Sequence, residues 1–464
     1  MMNSLTHYGL PQTEADDLAR LGRQHLWLHF TRMGGGEQFP ILIRGEGVHV
    51  WDTEGKHYLD GLSQLFCVNI GHGRADVGEA GAKQAAELAY ASNWSYSHPR
   101  SIELAARVAA MAPGDLNRVF FTSGGSESVE SAIKLSRQYH KLTGSPTKVK
   151  IIAREVAYHG TTLGALTATG VTDLRAPFEP LAGGGCHVPN TGSYRLPEGT
   201  DLGVFAEAIE HGILFEGPDT VAAVILEPVQ NAGGCLPPPD GYFQRVREIC
   251  DRHNVLMISD EVICAWGRLG EYFGSERYDY VPDIITTAKG ITSSYAQLGA
   301  VIASDRVADP FMEGRNMFTH GFTWGGHPVA CAVAMANLDV MADEGMLDNV
   351  RANEAHFRSA LESLLALPIV GEVRGAGYFY GIELVKNAET KESFSAEESE
   401  DILRGYVSHE LLAHGLICRA DDRGDPVIQL APPLITTREQ LDTMGEILHT
   451  VLSGAVERFG LTDA

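Results

Sequence analysis

Short apolar runs closed by a polar or ionisable residue recur along this chain, and they predict its sheet. They are Val119 to Thr122, Val149 to Ala153, Val221 to Leu226, Val255 to Ser259, Ile284 to Ala288 and Leu298 to Ala303. Runs of this length bounded by polar punctuation suit buried strands. Helical periodicity lies between and around them. Val129, Ala132, Ile133 and Tyr139 make one buried stripe. Pro328 suits the first turn of a helix running to Ala342. Leu18, Leu21 and Leu28 predict an amphipathic helix over Leu18 to Met33. Gly45 to Asp60 alternates and predicts a hairpin turning at Asp52 to Lys56. Gly170 to Gly199, rich in Gly and Pro, predicts a loop. From about Asn337 helices and strands alternate. Tyr378 to Val385 and Val427 onward predict strands, with a polar loop at Ala420 to Pro426.

Two of the runs end in chemistry. The run before Asp260 leads into Asp-Glu-Val-Ile-Cys-Ala-Trp-Gly-Arg, and the run before Lys289 ends in Thr-Thr-Ala-Lys-Gly. Charges are rarely buried unless paired, and ligands of open α/β sheets sit outside the carboxyl ends of the strands. A buried ion pair joining two strands is one reading of Asp260 and Lys289. The other is a site. A desolvated lysine has a lowered pKa and can act as a neutral amine. Such an amine can form a Schiff base with pyridoxal phosphate (PLP), and a carboxylate facing the pyridine nitrogen keeps that ring protonated, an electron sink. Asp260 and Val262, two apart, are expected on the same side, Val262 against a ring face.

Charge and cysteine usage narrow the partners. A net charge of −24 over 464 residues argues against nucleic acid or anionic membranes as ligands. The seven cysteines form no CxxC pair, which suits a reducing compartment. The histidines show no HExxH spacing, so no metal site is expected. Met1 to Gly9 lacks the pattern of a signal peptide, and no apolar run is long enough to span a membrane. The expected location is the cytoplasm. There is no internal repeat and no low-complexity tract.

The strand ending at Thr122 runs into Ser123-Gly124-Gly125-Ser126-Glu127 and a helix. Strand, Gly-rich turn and helix N-terminus make an anion site, with free N–H groups facing the ligand. Neither GxGxxG opening a βαβ unit nor GxxxxGK[ST] occurs, which removes support for dinucleotide and nucleoside triphosphate binding. Tyr158-His159-Gly160 follows a second strand, and Glu227 stands at the end of another.

The stretch from Asp260 to Lys289 resembles the signature of the class III aminotransferases, fold type I PLP enzymes. The resemblance runs from about Gly45 to Thr436 with the motifs in the family's order. It implies an α/β fold. A large domain over residues 76–336 carries a mostly parallel seven-stranded sheet between helices. A small α+β domain comes from both chain ends, with an N-terminal arm and part of the small domain in residues 1–75 and the rest in residues 337–464. It implies PLP held by Lys289, Asp260 and Val262. Gly124, Gly125 and Ser126 would take the phosphate, although Gly124 stands where the family carries a different loop pattern. Tyr158 and His159 would lie at the ring, with Glu227 in support and Thr323 reaching the phosphate of a partner subunit's cofactor. Phe66, Trp94 and Tyr96 become pocket-wall candidates. The implied assembly is a homodimer or dimer of dimers, with the arm near the partner's site.

Two departures point to a branch of the family. Ile263 follows Asp-Glu-Val where acetylornithine, ornithine and 4-aminobutyrate enzymes typically carry Gln, and Gln429 stands where acetylornithine-type enzymes carry an arginine. Arg419 matches the mobile arginine of the ω-amino acid and amine:pyruvate branch, with Arg423 as a rival. The expected reaction moves an amino group from an ω-amino acid or primary amine to pyruvate or a similar oxo acid through pyridoxamine phosphate. Lys289 acts as the acid–base group. A 4-aminobutyrate or diamine transaminase using 2-oxoglutarate, another PLP reaction such as an aminomutase or decarboxylase, and a binding protein without chemistry stay open.

Overall fold

The computed structural model describes residues 8–34 and 39–461. Of Met1 to Gly9, only Tyr8 and Gly9 lie within the described residues. Seven strands build the central sheet: β1 (Leu116–Thr122), β2 (Lys150–Arg154), β3 (Gly185–Val188), β4 (Val221–Leu226), β5 (Leu256–Asp260), β6 (Ile284–Thr287) and β7 (Gly299–Ser304). Their order across the sheet is β1-β7-β6-β5-β4-β2-β3. The pairings from β6 through β3 are parallel, while β7 runs antiparallel to both β6 and β1.

Strand alternation accounts for the layers. Ile151, Ile225 and Ile258 face Val129, Ala132 and Ile133 of the helix Gly125–Leu142. Ile152, Val224, Leu226 and Met257 face the opposite layer, the helices Val204–Glu216 and Tyr242–Arg252. Covered on both faces, the inner strands can be apolar throughout, and so read as unbroken runs. The fold is the α/β architecture expected, with the mostly parallel seven-stranded sheet between helices.

Two four-stranded sheets accompany it. One joins Leu42–Glu46, His49–Asp52 and His57–Asp60 to Leu416–Ile417; the other joins Val370–Ala376, Phe379–Leu384, Val427–Leu430 and Arg419–Asp421. Asp52 makes the hairpin turn: its carboxylate accepts the N–H groups of Glu54 and Lys56 at 3.0 and 2.9 Å. No helix among the described residues is long and apolar enough to cross a membrane.

Three expectations are corrected. The first helix is Gln12–His25, not Leu18 to Met33. It follows Pro11, carries Glu14 in its first turn and Arg23 and His25 in its last, charges that suit the helix dipole. Trp27 and Phe30 lie beyond it, 85% and 74% exposed. Gly170 to Gly199 is not all loop: it contains β3, the edge of the large sheet. Ala420 and Asp421 belong to a strand with Arg419, and it is again a sheet edge, paired to Val427–Leu430.

Arg268 ties these parts together. It is fully buried and donates to the carbonyls of Tyr378 and Pro432, to Ser63 Oγ at 3.1 Å and to Asn69 Oδ1 at 2.8 Å. All four acceptors are neutral, and burial lowers its pKa to about 10. Removing it strands four buried acceptors, each of which costs free energy when left unpaired. Arg268→Met is expected to destabilise the protein by about 2–4 kcal/mol, measured as a lower denaturant midpoint at unchanged slope.

Candidate active site

The carboxyl ends of the parallel strands bring the ionisable residues to one edge of the sheet. Asp260 closes β5 and is 4% exposed. Its Oδ2 accepts from His159 Nδ1 at 2.7 Å, and its Oδ1 from Thr286 Oγ1 and the Val262 N–H, both at 3.2 Å. Thr286 is its register partner on β6. His159 Nε2 is buried without a partner among the described residues. β5 ends at Asp260, so Val262 does not share a strand face with it as expected; it sits in the following turn, folded back onto the carboxylate.

Lys289 follows β6 with φ 48, in the left-handed region. Burial lowers the pKa of its amine, and the nearby Cys67 and Asp260 push it back up. Its Nζ lies 5.2 Å from the centroid of the Phe66 ring. Phe66 is 2% exposed and packs edge-on against Phe379. It closes a strained segment: Ser63, Gln64 and Phe66 have φ of 50, 60 and 61. Strain of this kind persists only where the surroundings over-determine it. Here they do, because Arg268 holds Ser63 and Asn69, and Asn69 Nδ2 donates to the Trp266 carbonyl at 2.8 Å.

Beyond β1 the helix Gly125–Leu142 opens with the N–H groups of its first turn unspent inside the helix. Glu127 reaches back to accept the Ser123 N–H at 2.8 Å. Ser126 Oγ accepts the Thr161 N–H at 3.1 Å, which leaves its proton free to donate. Two glycines are needed by space. A Cβ on Gly125 would stand 2.8 Å from Val262 Cγ1, and one on Gly160 would stand 2.5 Å from Ser126 Oγ. Around Gly124 there is open space.

The Tyr158 N–H donates to Glu227 Oε1 at 3.3 Å, and Glu227 Oε2 accepts the Asn231 N–H at 2.9 Å. Burial raises the Glu227 pKa. Arg154, fully buried at the end of β2, donates to the Glu227 carbonyl at 2.6 Å. This residue was not singled out from the sequence, although its signal is the same: an ionisable group closing an apolar run. Over the Tyr158 ring, at 5.6 Å, lies the guanidinium of Arg423, which is held by Asp421. Arg419 is half-buried, and its guanidinium has no hydrogen-bond acceptor or ion-pair partner among the described residues.

Not every candidate joins this group. Trp94 and Tyr96 are 70% and 68% exposed, and Thr323 is exposed. Trp94 packs near Gly321, and the Tyr90 hydroxyl donates to the Thr323 carbonyl at 2.6 Å. Trp94 and Thr323 thus belong to the exposed stretch around Gly321.

The gathered residues fit PLP. A flat pyridine finds a buried carboxylate, an aromatic ring and a valine. Its phosphate finds a helix N-terminus, and its aldehyde an amine of lowered basicity. Fold and site together define a fold type I PLP-dependent enzyme. Comparison with known proteins narrows this. The family model described as aminotransferase class-III matches residues 33–452. A probable aminotransferase of Mycobacterium tuberculosis is 56% identical over 97% of each chain. A putrescine–pyruvate aminotransferase of Pseudomonas aeruginosa is 38% identical over 87% of this chain and 88% of its own. The crystal structure of a thermostable (S)-enantioselective omega-transaminase from Thermomicrobium roseum superposes with a TM-score of 0.91 at 41% identity, covering 95% of this chain and 99% of that one. The chain belongs to the class III aminotransferases.

Beside Asp260, Glu261 is fully buried and accepts the N–H groups of Gly274 and Ser275 at 2.6 and 2.8 Å and Ser259 Oγ at 3.2 Å. Burial pushes its carboxyl up to about 7 against those hydrogen bonds. With the folded pKa above the unfolded one, the protonated group favours the fold at low pH, and that advantage is lost as pH rises toward 7. Glu261→Gln is therefore expected to gain stability relative to the parent between pH 4.5 and pH 7, by up to about 3 kcal/mol. Paired denaturant titrations at both pH values measure it.

Proposed function

We propose that this enzyme is a transaminase that moves an amino group from an ω-amino acid or primary amine to pyruvate or a similar monocarboxylic oxo acid. The observation that carries this reading is Arg419: a half-buried guanidinium near Tyr158 and Lys289 with no acceptor among the described residues. An unpaired buried cation is costly, and a substrate carboxylate would neutralise it bidentately. When a donor lacks a carboxylate, the side chain can turn toward solvent. The Pseudomonas aeruginosa relative, whose name gives a diamine donor and pyruvate, supports the same pairing.

Bound PLP supplies the electron sink. Asp260, oriented by His159, would pair with its ring nitrogen. Tyr158 and Val262 would hold its ring, and Gly124, Gly125 and Ser126 would hold its phosphate through N–H groups and the Ser126 hydroxyl. Glu227 fixes the Tyr158 backbone. Lys289 takes the proton from the carbon bearing the donor's amino group and returns it, a task its lowered pKa suits. Phe66 walls the pocket over the amine. A second copy of the chain covers Trp94, Tyr96, Trp324 and the arm residues Trp27 and Phe30, all exposed in one chain, and Thr323 would help hold the phosphate in that partner. The seven free cysteines suit work in the cytoplasm.

Two measurements test this. Borohydride reduction of the PLP-loaded enzyme followed by peptide mass spectrometry is expected to label Lys289. Lys289→Ala should lose both the label and turnover, and a label elsewhere defeats the assignment. Arg419→Ala is expected to raise KM for pyruvate and ω-amino acids, a loss of about 2–5 kcal/mol, with little change in half-reactions of carboxylate-free amines. Equal loss for both donor types would make Arg419 structural.

A further inference from the structure

The polar edge strand holds two arginines and one carboxylate that must choose between them. Asp421 is 2% exposed and grips Arg423 bidentately, Nε to Oδ1 at 2.6 Å and Nη2 to Oδ2 at 2.7 Å. It also lies two residues from Arg419 on the strand Arg419–Asp421, so the two side chains leave the same face. The other acids are engaged elsewhere. Asp422 takes Arg404 at 2.8 Å, Asp425 takes Arg195 at 2.9 Å, Glu227 takes backbone N–H groups, and Asp260 takes His159. Arg423 is therefore neutralised over Tyr158, while Arg419 beside it keeps its charge.

We propose that Asp421 sets the class of oxo-acid acceptor: by occupying Arg423 it leaves one free guanidinium, matched to a monocarboxylate and mismatched to a dicarboxylate. A second substrate carboxylate would have to displace a buried, bidentate partner from Arg423 or stand unpaired against Asp421, and both are unfavourable. Specificity here comes from a repulsive element rather than an added contact. This deepens the proposed function and rests on Arg419 as the carboxylate site.

The experiment is calorimetric titration of the PLP-loaded enzyme with two unreactive probes, propionate and glutarate, alongside KM for pyruvate and 2-oxoglutarate. Asp421→Asn is expected to raise the affinity for glutarate relative to propionate by about tenfold or more, and to lower KM for 2-oxoglutarate relative to pyruvate in parallel. Arg423→Gln, which turns Asp421 onto Arg419, is expected to weaken propionate binding by about tenfold. The double variant Asp421→Asn with Arg423→Gln should recover it, a rescue that a merely structural pair would not give. An unchanged glutarate-to-propionate ratio in a folded Asp421→Asn enzyme overturns the proposal, as does failure of the rescue. If Asp421→Asn does not fold, Arg423→Gln decides alone, and unchanged propionate binding overturns it. Propionate binding unaffected by Arg419→Ala would instead sink the reading on which the proposal stands.

Discussion

A carboxylate kept almost out of water at the end of a central strand is the constraint on which this structure turns. Asp260 survives there because three donors reach it: an imidazole, a hydroxyl of the neighbouring strand and the N–H of its own turn. Each donor fixes something else. The imidazole sets where the chain leaves β2, the hydroxyl sets the register of β5 against β6, and the turn presses Val262 onto Gly125. In turn, that close approach brings the helix opening at Gly125 to the same edge. One satisfied buried charge thus positions a strand register, a glycine turn and a helix N-terminus together.

A second centre is Arg268, buried among neutral acceptors. Its neutral acceptors belong to the segment before Ile70 and to the chain after Tyr378, so a single guanidinium joins early and late sequence around the strained turn at Phe66. Backbone strain and buried charge coincide where the substrate pocket is proposed, as expected when stability is exchanged for position.

Much of this was legible in the sequence because the signal was local. An apolar run closed by Asp, Glu or Lys announces both a buried strand and a group at its carboxyl end, and Asp260, Glu227 and Lys289 were read that way. Two of the misses share a physical cause. β3 and the strand carrying Arg419 are short sheet edges, where solvent on one side permits Gly and charged residues and erases the apolar pattern. The stripe of Leu18, Leu21 and Leu28 marks a helical face but no boundary, whereas Pro11 and Glu14 mark where the first helix starts. Arg154 closes an apolar run as the other site residues do, whereas the burial of Arg268 depends on distant carbonyls that no local spacing reveals. Trp94 and Thr323 lie exposed in the single chain, so their expected roles rest on the proposed second copy.

The antiparallel strand β7 has a consequence for the birth of the molecule. Phe121 on β1 meets its partner Ala300 only after the whole run of parallel strands between them has been made. Ribosomes add about 5–20 residues per second, so β1 waits roughly 10–40 s for the strand that pairs with it. Long-range closures of this kind are also slow in themselves. Until then Val119, Phe120 and Phe121 lack the strand that pairs with them in the finished fold. Asn117 and Arg118, exposed in the finished fold, bound that stretch on its N-terminal side. Asn117, which donates to Asp305 at 3.1 Å in the finished fold, thus also sets a polar boundary to that stretch before β7 exists.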